Sequence, residues 1–346
     1  MSPGVSIVIP TWNGLELLKQ FLPSVIRSAE RYAQSAGALV EVLIVDDAST
    51  DQSRDWLAQI GFSESTPLGP VGHVDLRLIV NDVNKGFGAS CNRGFEAASQ
   101  RLVLLLNNDV ETSNDCIAPL VENFSDAAVF AAHTRVAEFE TGRECGTGKL
   151  GAFSAGFIKV HRSYVPLADQ GPAESSRTAP LFSMFASGGS AMFDRQKLLD
   201  IGGFDELLAP AYWEDVDLSY RAWKRGFTIL YEPRSFVRHR VSSTMRKMNQ
   251  SAMRRIQLRN RLMFHWINLH DRRMMISNVV WTAILALTAP IRLQFSFISA
   301  LASALKRLPA IRRRREEEKL SARRTDREVF SVFDGLSRRS DIRVYD

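Results

Sequence analysis

The chain has 346 residues, of which 45% are hydrophobic and 24% charged, so it can bury the core of one large domain or two ordinary ones. Its three cysteines, Cys91, Cys116 and Cys145, lie far apart without a CxxC pair, which excludes a disulfide framework and a cysteine-based metal site. They predict reduced thiols in a cytoplasmic protein. The N-terminal "MSPGVSIVIP" leads straight into a strand pattern, so we expect no signal peptide.

The formal net charge of +6 hides an asymmetry along the chain. Residues 246–346 carry 22 lysines and arginines against 9 acidic residues, whereas residues 1–245 carry 22 against 29. This change of sign predicts a boundary near residue 245, between a domain over 1–245 and a basic region over 246–346. A basic region can bind nucleic acid or an anionic membrane.

The first two-thirds of the chain alternates strand and helix patterns. Short apolar runs predict strands over 5–10, 40–47, 75–82 and 101–109, with helices between them over 14–35, 49–61 and 86–99. Such alternation predicts an α/β fold with a mainly parallel sheet that helices cover on both faces.

Beyond residue 128 the pattern loosens. A strand is predicted at "VFAAHTRV", and residues 139–182 are irregular, with a mobile loop at 167–180. A helix then starts near "WEDVDLSYRAWKRG", and "FTILYEP" predicts a further strand.

The last hundred residues have helical patterns in which cationic and apolar residues lie side by side. The segment 274–289 has 16 residues without a charge, and the apolar segment 293–305 follows it. A membrane span needs about 20 apolar residues, so neither segment predicts a transmembrane helix. Cationic flanks and tryptophans favour amphipathic helices that lie in a membrane interface. The alternative is a helical subdomain packed on the α/β domain.

Polar clusters follow all four of the first predicted strands: "PTWNG", "DDASTD", "NDVNKGFGASCNRG" and "NND". The ends of parallel strands meet at one edge of a sheet, so these clusters predict a single ligand crevice. The third cluster does not fit GxGxxG, and the chain has no GxxxxGK[ST] motif. A dinucleotide-dependent dehydrogenase and a P-loop enzyme are therefore disfavoured.

Six segments in this order resemble the family 2 glycosyltransferases, over about residues 4–245: "SIVIPTWNG", "VLIVDDASTD", "NKGFGASCNRG", "LLLNND", "SGGSAMFDRQKLLDIGGFDE" and "WEDVDLSYRAWKRG". Bacterial rhamnosyltransferase-like members look most similar. The resemblance implies a GT-A fold over 1–245, with a nucleotide-binding half (1–110) and an acceptor half (111–245). It also implies an inverting transfer of one sugar from a nucleoside diphosphate sugar, UDP- or dTDP-linked, to an acceptor hydroxyl.

The resemblance also implies a divalent metal, Mg²⁺ or Mn²⁺, because charge builds up on the leaving diphosphate. Asp109 ends the "NND" that stands where the family carries its Asp-x-Asp metal motif, and Asn107 replaces the first carboxylate. His239 is the implied second ligand. The structural alternatives are a helix cap for Asp109 and a packing role for His239.

An acceptor hydroxyl must lose its proton as it attacks, which calls for a general base. The resemblance assigns this role to Asp215, with Glu214 in support, whereas acidic residues in a first helical turn otherwise serve only the helix dipole. It places the acceptor and donor sugar beside four further residues: Gly188, Gly189, Tyr212 and Trp213.

The earlier clusters are expected to bind the nucleotide. Asp46 or Asp47 should contact the base or the ribose, and the sequence leaves open which. The remaining expected donor contacts are Pro10, Thr11, Asn13, Asn84, Gly86, Asn92 and Asn108.

Two other classes compete with the enzyme: a catalytically silent GT-A scaffold and a nucleic-acid binder. The basic region carries no nucleic-acid motif, so no nucleic acid is expected. Processive polysaccharide synthases are disfavoured because QxxRW is absent. We expect a peripheral protein on the inner face of the plasma membrane that serves cell-envelope polysaccharide synthesis with a glycan or lipid-linked acceptor. With a soluble acceptor, the basic region would instead mediate homo-oligomerisation.

Overall fold

The computed structural model describes residues 2–64, 73–167, 179–240 and 250–345. The chain forms two compact units: unit 1 holds residues 1–147, 186–206 and 229–241, and unit 2 holds 148–185, 207–228 and 242–346. The boundary predicted near residue 245 and most of the loop predicted over 167–180 lie outside the described residues. The division into 1–245 and 246–346 therefore stays a prediction.

The secondary structure follows the predicted order with additions. The strands are β1 (Val5–Thr11), β2 (Val40–Asp46), β3 (Val74–Val80), β4 (Leu102–Leu106), β5 (Val110–Thr112), β6 (Val129–Glu138), β7 (Glu144–Gly146), β8 (Gly148–Lys149), β9 (Ala152–Ser154), β10 (Phe157–Lys159), β11 (Ser163–Pro166), β12 (Ser190–Asp194), β13 (Thr228–His239) and β14 (Ile342–Tyr345). The helices are α1 (Leu15–Ala36), α2 (Ser53–Gln59), α3 (Phe87–Ala97), α4 (Ile117–Glu122), α5 (Arg195–Ile201), α6 (Glu214–Lys224), α7 (Gln250–Asn268), α8 (Arg272–Thr288), α9 (Phe295–Leu305), α10 (Leu308–Ser321) and α11 (Asp326–Ser337).

Unit 1 is built on one sheet with the strand order β3-β2-β1-β4-β12-β6-β13-β5, and β7 pairs with β6. The pairs β1–β2, β2–β3 and β1–β4 are parallel, which confirms the prediction for the first four strands. The later pairs β4–β12, β6–β12, β6–β7 and β5–β13 are antiparallel, so the sheet is mixed.

The core of unit 1 follows from the apolar runs. Every residue of β1, β2 and β4 is buried, as expected for strands covered on both faces. The apolar stripe of α1, which includes Leu18, Leu22 and Val25, belongs to the same core. A Cβ atom on Gly94 of α3 would lie 2.4 Å from Val8 Cγ1, so glycine is what lets this helix approach β1 closely.

Unit 2 combines the last helices with a three-stranded antiparallel sheet, in the order β14-β11-β8, and a β9–β10 hairpin. The helical pattern predicted for the last hundred residues is present as α7 to α11, with α8 and α9 at the segments 274–289 and 293–305, whereas β14 was not predicted. Leu262, Met263 and Ile267 of α7 are buried in an apolar cluster with Leu208 and Phe157. α7 is therefore a core helix of unit 2 and does not itself lie in a membrane interface, and the choice between an interfacial region and a subdomain packed on the α/β domain stays a prediction. Among the described residues, no helix combines the length and apolarity that a membrane crossing requires.

Candidate active site

In unit 1 the strand register brings the polar clusters after β1, β2 and β3 together. Thr11 pairs with Asp46, and Asp46 pairs with Val80, so the three strands end side by side. Backbone hydrogen bonds continue the alignment, since Asp47 N donates to Thr11 O (2.8 Å) and Asn81 N donates to Asp46 O (2.8 Å). The parallel topology therefore gathers these residues at one sheet edge.

Asp46 and Asp47 have different environments, although both are buried. Asp47 accepts hydrogen bonds from the backbone N–H groups of Lys85 and Gly86, both at 2.8 Å, and from Asn81 Nδ2 at 2.7 Å. Its carboxylate thus holds the loop that leads into α3. Asp46 uses only one oxygen: Oδ2 accepts from Arg54 Nε (2.7 Å) and from the Ser49 N–H (3.1 Å). Asp46 Oδ1 is buried and has no hydrogen-bond partner in the described part of the chain.

Two of the predicted donor contacts, Asn13 and Asn92, hydrogen-bond to the backbone of neighbouring segments. Asn13 has a positive φ of 48°, which asparagine tolerates, and its Oδ1 accepts from the Thr50 N–H at 2.7 Å. Both polar ends of Asn92 bond to the Phe204 backbone: Nδ2 donates to the carbonyl at 2.9 Å, and Oδ1 accepts from the N–H at 2.8 Å. The predicted contacts of Asn13 and Asn92 with the donor stay predictions.

The other residues of these clusters are placed as follows. Pro10 and Thr11 are buried at the end of β1, and Asn108 Nδ2 donates to Thr11 Oγ1 at 2.9 Å. Asn84 is exposed in the loop before α3. Gly86 has a φ of 87°, and a Cβ atom placed on it would have no neighbour within 4 Å. Its backbone conformation, rather than a lack of space, is therefore what requires glycine.

Asp109 and His239 meet although 130 residues separate them in the sequence. The antiparallel β5–β13 pair aligns Val110 with His239, and Arg240 N donates to Asp109 O at 3.0 Å. His239 Nε2 lies 2.9 Å from Asp109 Oδ1. The two residues that the resemblance implies as metal ligands are therefore neighbours.

The donor set is compatible with a divalent metal. It offers a carboxylate oxygen and an imidazole nitrogen, and Asn107 in the same "NND" adds a buried Oδ1 without a hydrogen-bond partner in the described residues. No group of three or more His, Cys, Asp or Glu side chains with metal-binding geometry occurs in those residues. A metal such as Mg²⁺ is often held by one or two carboxylates plus substrate phosphates and water, so a short protein ligand set fits this use.

Gly189 lies against Asn107. Asn107 N donates to Gly189 O at 3.0 Å, and a Cβ atom on Gly189 would lie 2.7 Å from Asn107 Nδ2. Gly188 and Gly189 immediately precede β12, which pairs with β4. The "SGG" segment therefore contacts the first residue of "NND", and the spacing of the two motifs in the sequence does not reveal this contact.

In unit 2 the predicted base stands in the first turn of α6. Tyr212 and Trp213 precede the helix with φ values of 74° and 75°, a conformation that is uncommon for large residues. Asn260 Nδ2 donates to the Tyr212 carbonyl at 2.9 Å and stabilises this turn. The Trp213 ring lies 5.2 Å from the Phe264 ring. Trp213 thus packs within unit 2, and the predicted sugar contacts of Tyr212 and Trp213 stay predictions.

Glu214 and Asp215 differ in their surroundings. Burial, and then the charge of Asp215, raise the pKa of Glu214 to about 8. Glu214 Oε2 is buried without a hydrogen-bond partner in the described residues. Asp215 Oδ1 accepts from the Val216 N–H at 2.8 Å. Near neutral pH, Glu214 is therefore mostly a neutral carboxyl group that can donate a hydrogen bond.

The rest of α6 is anchored by residues that sequence reasoning missed. Asp217 is fully buried and binds Arg221 Nε and Asn268 Nδ2, both at 2.7 Å. Asp326, the first residue of α11, accepts from Tyr220 Oη (2.7 Å) and Lys224 Nζ (2.6 Å). The one available signal was the placement of such polar residues within or beside apolar helical patterns.

The known proteins that are similar to this chain include glycosyltransferases. The family model for glycosyl transferase family 2 matches residues 6–202, and the model for glycosyl transferase family group 2 matches residues 154–309. A pre-mycofactocin glycosyltransferase of Mycobacterium tuberculosis is 24% identical over 237 residues, which are 68% of this chain and 42% of the relative. A poly-beta-1,6-N-acetyl-D-glucosamine synthase of Staphylococcus aureus is 22% identical over 66% of this chain and 48% of that protein. This chain thus spans less than half the length of these relatives.

Solved structures share the fold at low sequence identity. GalNAc-T7 with UDP, GalNAc and Mn²⁺ has a TM-score of 0.65 and 19% identity, covering 98% of this chain and 58% of that chain. S. aureus TarS 1–349 in complex with UDP-GlcNAc has a TM-score of 0.53 and 15% identity, covering 97% of this chain and 91% of that one. The fold is therefore of the GT-A type, and the chain belongs to glycosyl transferase family 2.

Proposed function

We propose that this protein is an inverting, metal-dependent glycosyltransferase that moves one sugar from a UDP- or dTDP-sugar to an acceptor hydroxyl. The observation that carries the proposal is the Asp109–His239 pair, whose Oδ1 and Nε2 atoms lie 2.9 Å apart. Asn107, two residues before Asp109 in the sequence, adds a buried Oδ1 that has no hydrogen-bond partner among the described residues. A carboxylate, an imidazole and an amide oxygen at the end of a buried strand are better explained by binding of a cation and a diphosphate than by the needs of a turn.

The donor would be bound by the edge of the parallel strands. Asp46 Oδ1 has no hydrogen-bond partner in the part of the chain that the structure describes, so we assign the base or ribose contact to Asp46. We assign the support of the loop before α3 to Asp47, which accepts from the Gly86 N–H. Asp109 and His239 would hold the divalent cation, which supplies neutralisation of the diphosphate charge when bound. The structures of GalNAc-T7 and of a mannosyltransferase from Pyrobaculum calidifontis both contain Mn²⁺ with a nucleotide or nucleotide sugar, which favours such a site here.

Asp215 would act as the general base. In an inverting transfer the acceptor oxygen attacks the anomeric carbon as the bond to the diphosphate breaks, and the acceptor proton passes to a carboxylate. A neutral Glu214 beside Asp215 avoids a second negative charge and can donate a hydrogen bond to the acceptor. Asn268, Arg221 and Asp326 would position the helix that carries both groups.

We place this activity in bacterial cell-envelope polysaccharide synthesis at the inner face of the plasma membrane. The support is the basic region after residue 245, which suits an anionic surface, and the relationship to a staphylococcal polysaccharide synthase. The acceptor would be a glycan or a lipid-linked sugar.

Donor hydrolysis without acceptor tests the proposal. UDP-, dTDP- and GDP-sugars would be supplied with Mg²⁺ or Mn²⁺ to the full chain and to Asp109→Ala, with Asp115→Ala as a matched control at an exposed carboxylate. We expect metal-dependent release of one nucleotide that Asp109→Ala abolishes and Asp115→Ala retains. Calorimetric titration of the nucleotides with metal provides a second readout. Absence of both hydrolysis and metal-dependent binding would favour a catalytically silent scaffold.

A further inference from the structure

The surface formed by α8, α9 and the turn between them, residues 276–305, is unusually apolar. Of the seventeen large hydrophobic residues that are exposed in the described chain, eleven lie in this segment. Leu287, Ile291 and Leu293 are 76%, 84% and 77% exposed. Isolated exposed apolar residues are ordinary, but a contiguous group of this kind marks an interaction surface.

The orientation of α8 is the reverse of that expected for a helix on a water-facing surface. Its buried residues are polar, Asn278 and Thr282, whereas Ile276 and Val280 are exposed. Asn278 Nδ2 donates to the Gly156 carbonyl at 2.8 Å, and Trp266 Nε1 donates to Asn278 Oδ1 at 3.2 Å. A Cβ atom on Gly156 would lie 2.7 Å from the Ser277 carbonyl, so α8 lies directly on the β9–β10 turn. The helix is thus fixed by Asn278 and by the partly buried Leu285 and Ala286, which pack on the apolar cluster, while most of its large apolar side chains remain exposed.

α9 completes the surface. Its inner residues Phe297 and Ala304 belong to the apolar cluster around α7, whereas Phe295, Ile298 and Leu305 are exposed. The turn between the helices holds Leu293 at a positive φ of 53°, which costs about 1 kcal/mol or more for a residue that is not glycine or asparagine. Because the Leu293 side chain is exposed, it contributes no burial free energy that would offset this backbone cost in water.

The charge of the segment identifies the occupant. Residues 272–315 contain nine lysines and arginines and not one aspartate or glutamate. Arg272 and Arg273 are exposed at the start of α8, Arg292 is exposed in the turn, and Lys306 is exposed after α9. A second copy seated on this surface would bring the same cations against one another, whereas an anionic lipid surface supplies the opposite charge.

We propose that the α8–α9 surface docks in the headgroup region of an anionic lipid bilayer. The 17 residues of α8 extend about 25 Å, and a helix held flat by its polar side would lie along the bilayer rather than cross it. Exposed leucine, isoleucine and phenylalanine side chains enter the acyl boundary while the flanking arginines contact lipid phosphates. This deepens the membrane placement in the proposed function but is independent of catalysis, because it rests on unit 2 alone.

Vesicle flotation tests the surface. The full chain would be mixed with phosphatidylcholine vesicles, with or without phosphatidylglycerol, and compared with the double variant Leu287→Gln/Ile291→Gln. Leu320→Gln is the matched control, because Leu320 is 87% exposed on α10 outside the surface. We expect flotation mainly with the anionic vesicles, weakening as salt is raised, and about tenfold or greater loss of binding in the double variant only.

Failure to float, or equal flotation of the double variant, overturns the proposal. A concentration-dependent dimer in sedimentation that the double variant abolishes, without flotation, assigns the surface to a second copy and also overturns it. Hydrolysis of a water-soluble nucleotide sugar, measured with the same protein samples, separates the docking hypothesis from the proposed glycosyltransferase activity. Flotation without hydrolysis and without metal-dependent nucleotide binding rejects the proposed activity alone, and hydrolysis without flotation rejects only the docking surface.

Discussion

Lys224 Nζ lies 2.6 Å from Asp326 Oδ1, and both side chains are almost completely buried. Lys224 ends the helix that begins with Glu214 and Asp215, and Asp326 begins α11. Asp326 also accepts from the backbone N–H groups of His270 and Asp271. One carboxylate from the basic region is thus part of the support of the helix that carries the proposed base.

Removing Asp326 should therefore destabilise the protein. Asp326→Ala would leave the Lys224 ammonium buried without its carboxylate, for which a loss of about 3–5 kcal/mol in the free energy of unfolding is typical. Urea unfolding measures this change. Asp341→Ala is the control, because the Asp341–Arg339 pair is far more exposed and should contribute about 1 kcal/mol or less. Similar losses in both variants would contradict the structural role of Asp326.

Glu214 should make stability depend on pH. Its pKa rises from 4.5 to about 8 on folding, so the folded protein retains a proton that the unfolded chain releases. The contribution is fully present below pH 4.5 and is lost as the pH rises toward 8. Glu214→Gln should flatten this decline in urea unfolding measured across the interval, whereas Glu16→Gln, at an exposed ion pair, should leave the slope unchanged. An unaltered slope in Glu214→Gln would show that Glu214 is not buried as described.

Asp46 and Asp47 should respond differently to the same substitution. Asp46→Asn should weaken nucleotide binding about tenfold by calorimetry, because a hydrogen bond to a charged acceptor is lost. Asp47→Asn should instead lower the free energy of unfolding by about 1–3 kcal/mol, because the Lys85 and Gly86 N–H groups lose a charged acceptor. The reverse pattern would exchange the two assignments.

Gly189 and Asn107 should be energetically coupled. Gly189→Ala places a methyl group 2.7 Å from Asn107 Nδ2 and should cost about 1–3 kcal/mol of stability. The cost should become smaller in an Asn107→Ala background, which a double-mutant cycle of unfolding free energies measures. Gly88→Ala is the control, since its methyl group would meet only Phe204 Cβ at an ordinary 3.6 Å. Additive effects of the two substitutions would contradict the contact.

Thiol labelling should distinguish the three cysteines. Cys145 is exposed, whereas Cys91 and Cys116 are buried, and burial raises the pKa of Cys116 to about 11. A thiol reagent should therefore modify one cysteine in the folded protein and three after unfolding. Rapid labelling of Cys116 in buffer would indicate that the α4 region opens.

The sequence by itself determined the elements whose signals are local. The apolar runs of β1, β2 and β4 and the helical stripe of α1 were predicted within a few residues, because strand and helix periodicities are properties of neighbouring residues. The series of motifs also identified the family, because the order and spacing of motifs can be read directly from the sequence. Short strands such as β8 and β14 were missed, because two to four residues carry too little pattern.

Only the tertiary structure decided which side chains meet. Asp109 and His239 come together through β5–β13 pairing, and a register is set by long-range packing that no local pattern encodes. Asp46 and Asp47 are identical in type and adjacent, so only their partners could separate a loop support from an open acceptor. The uncharged stretch of α8 could equally have been a buried helix. Its polar anchor, Asn278, leaves the apolar sides exposed, because burial depends on which face the rest of the fold covers.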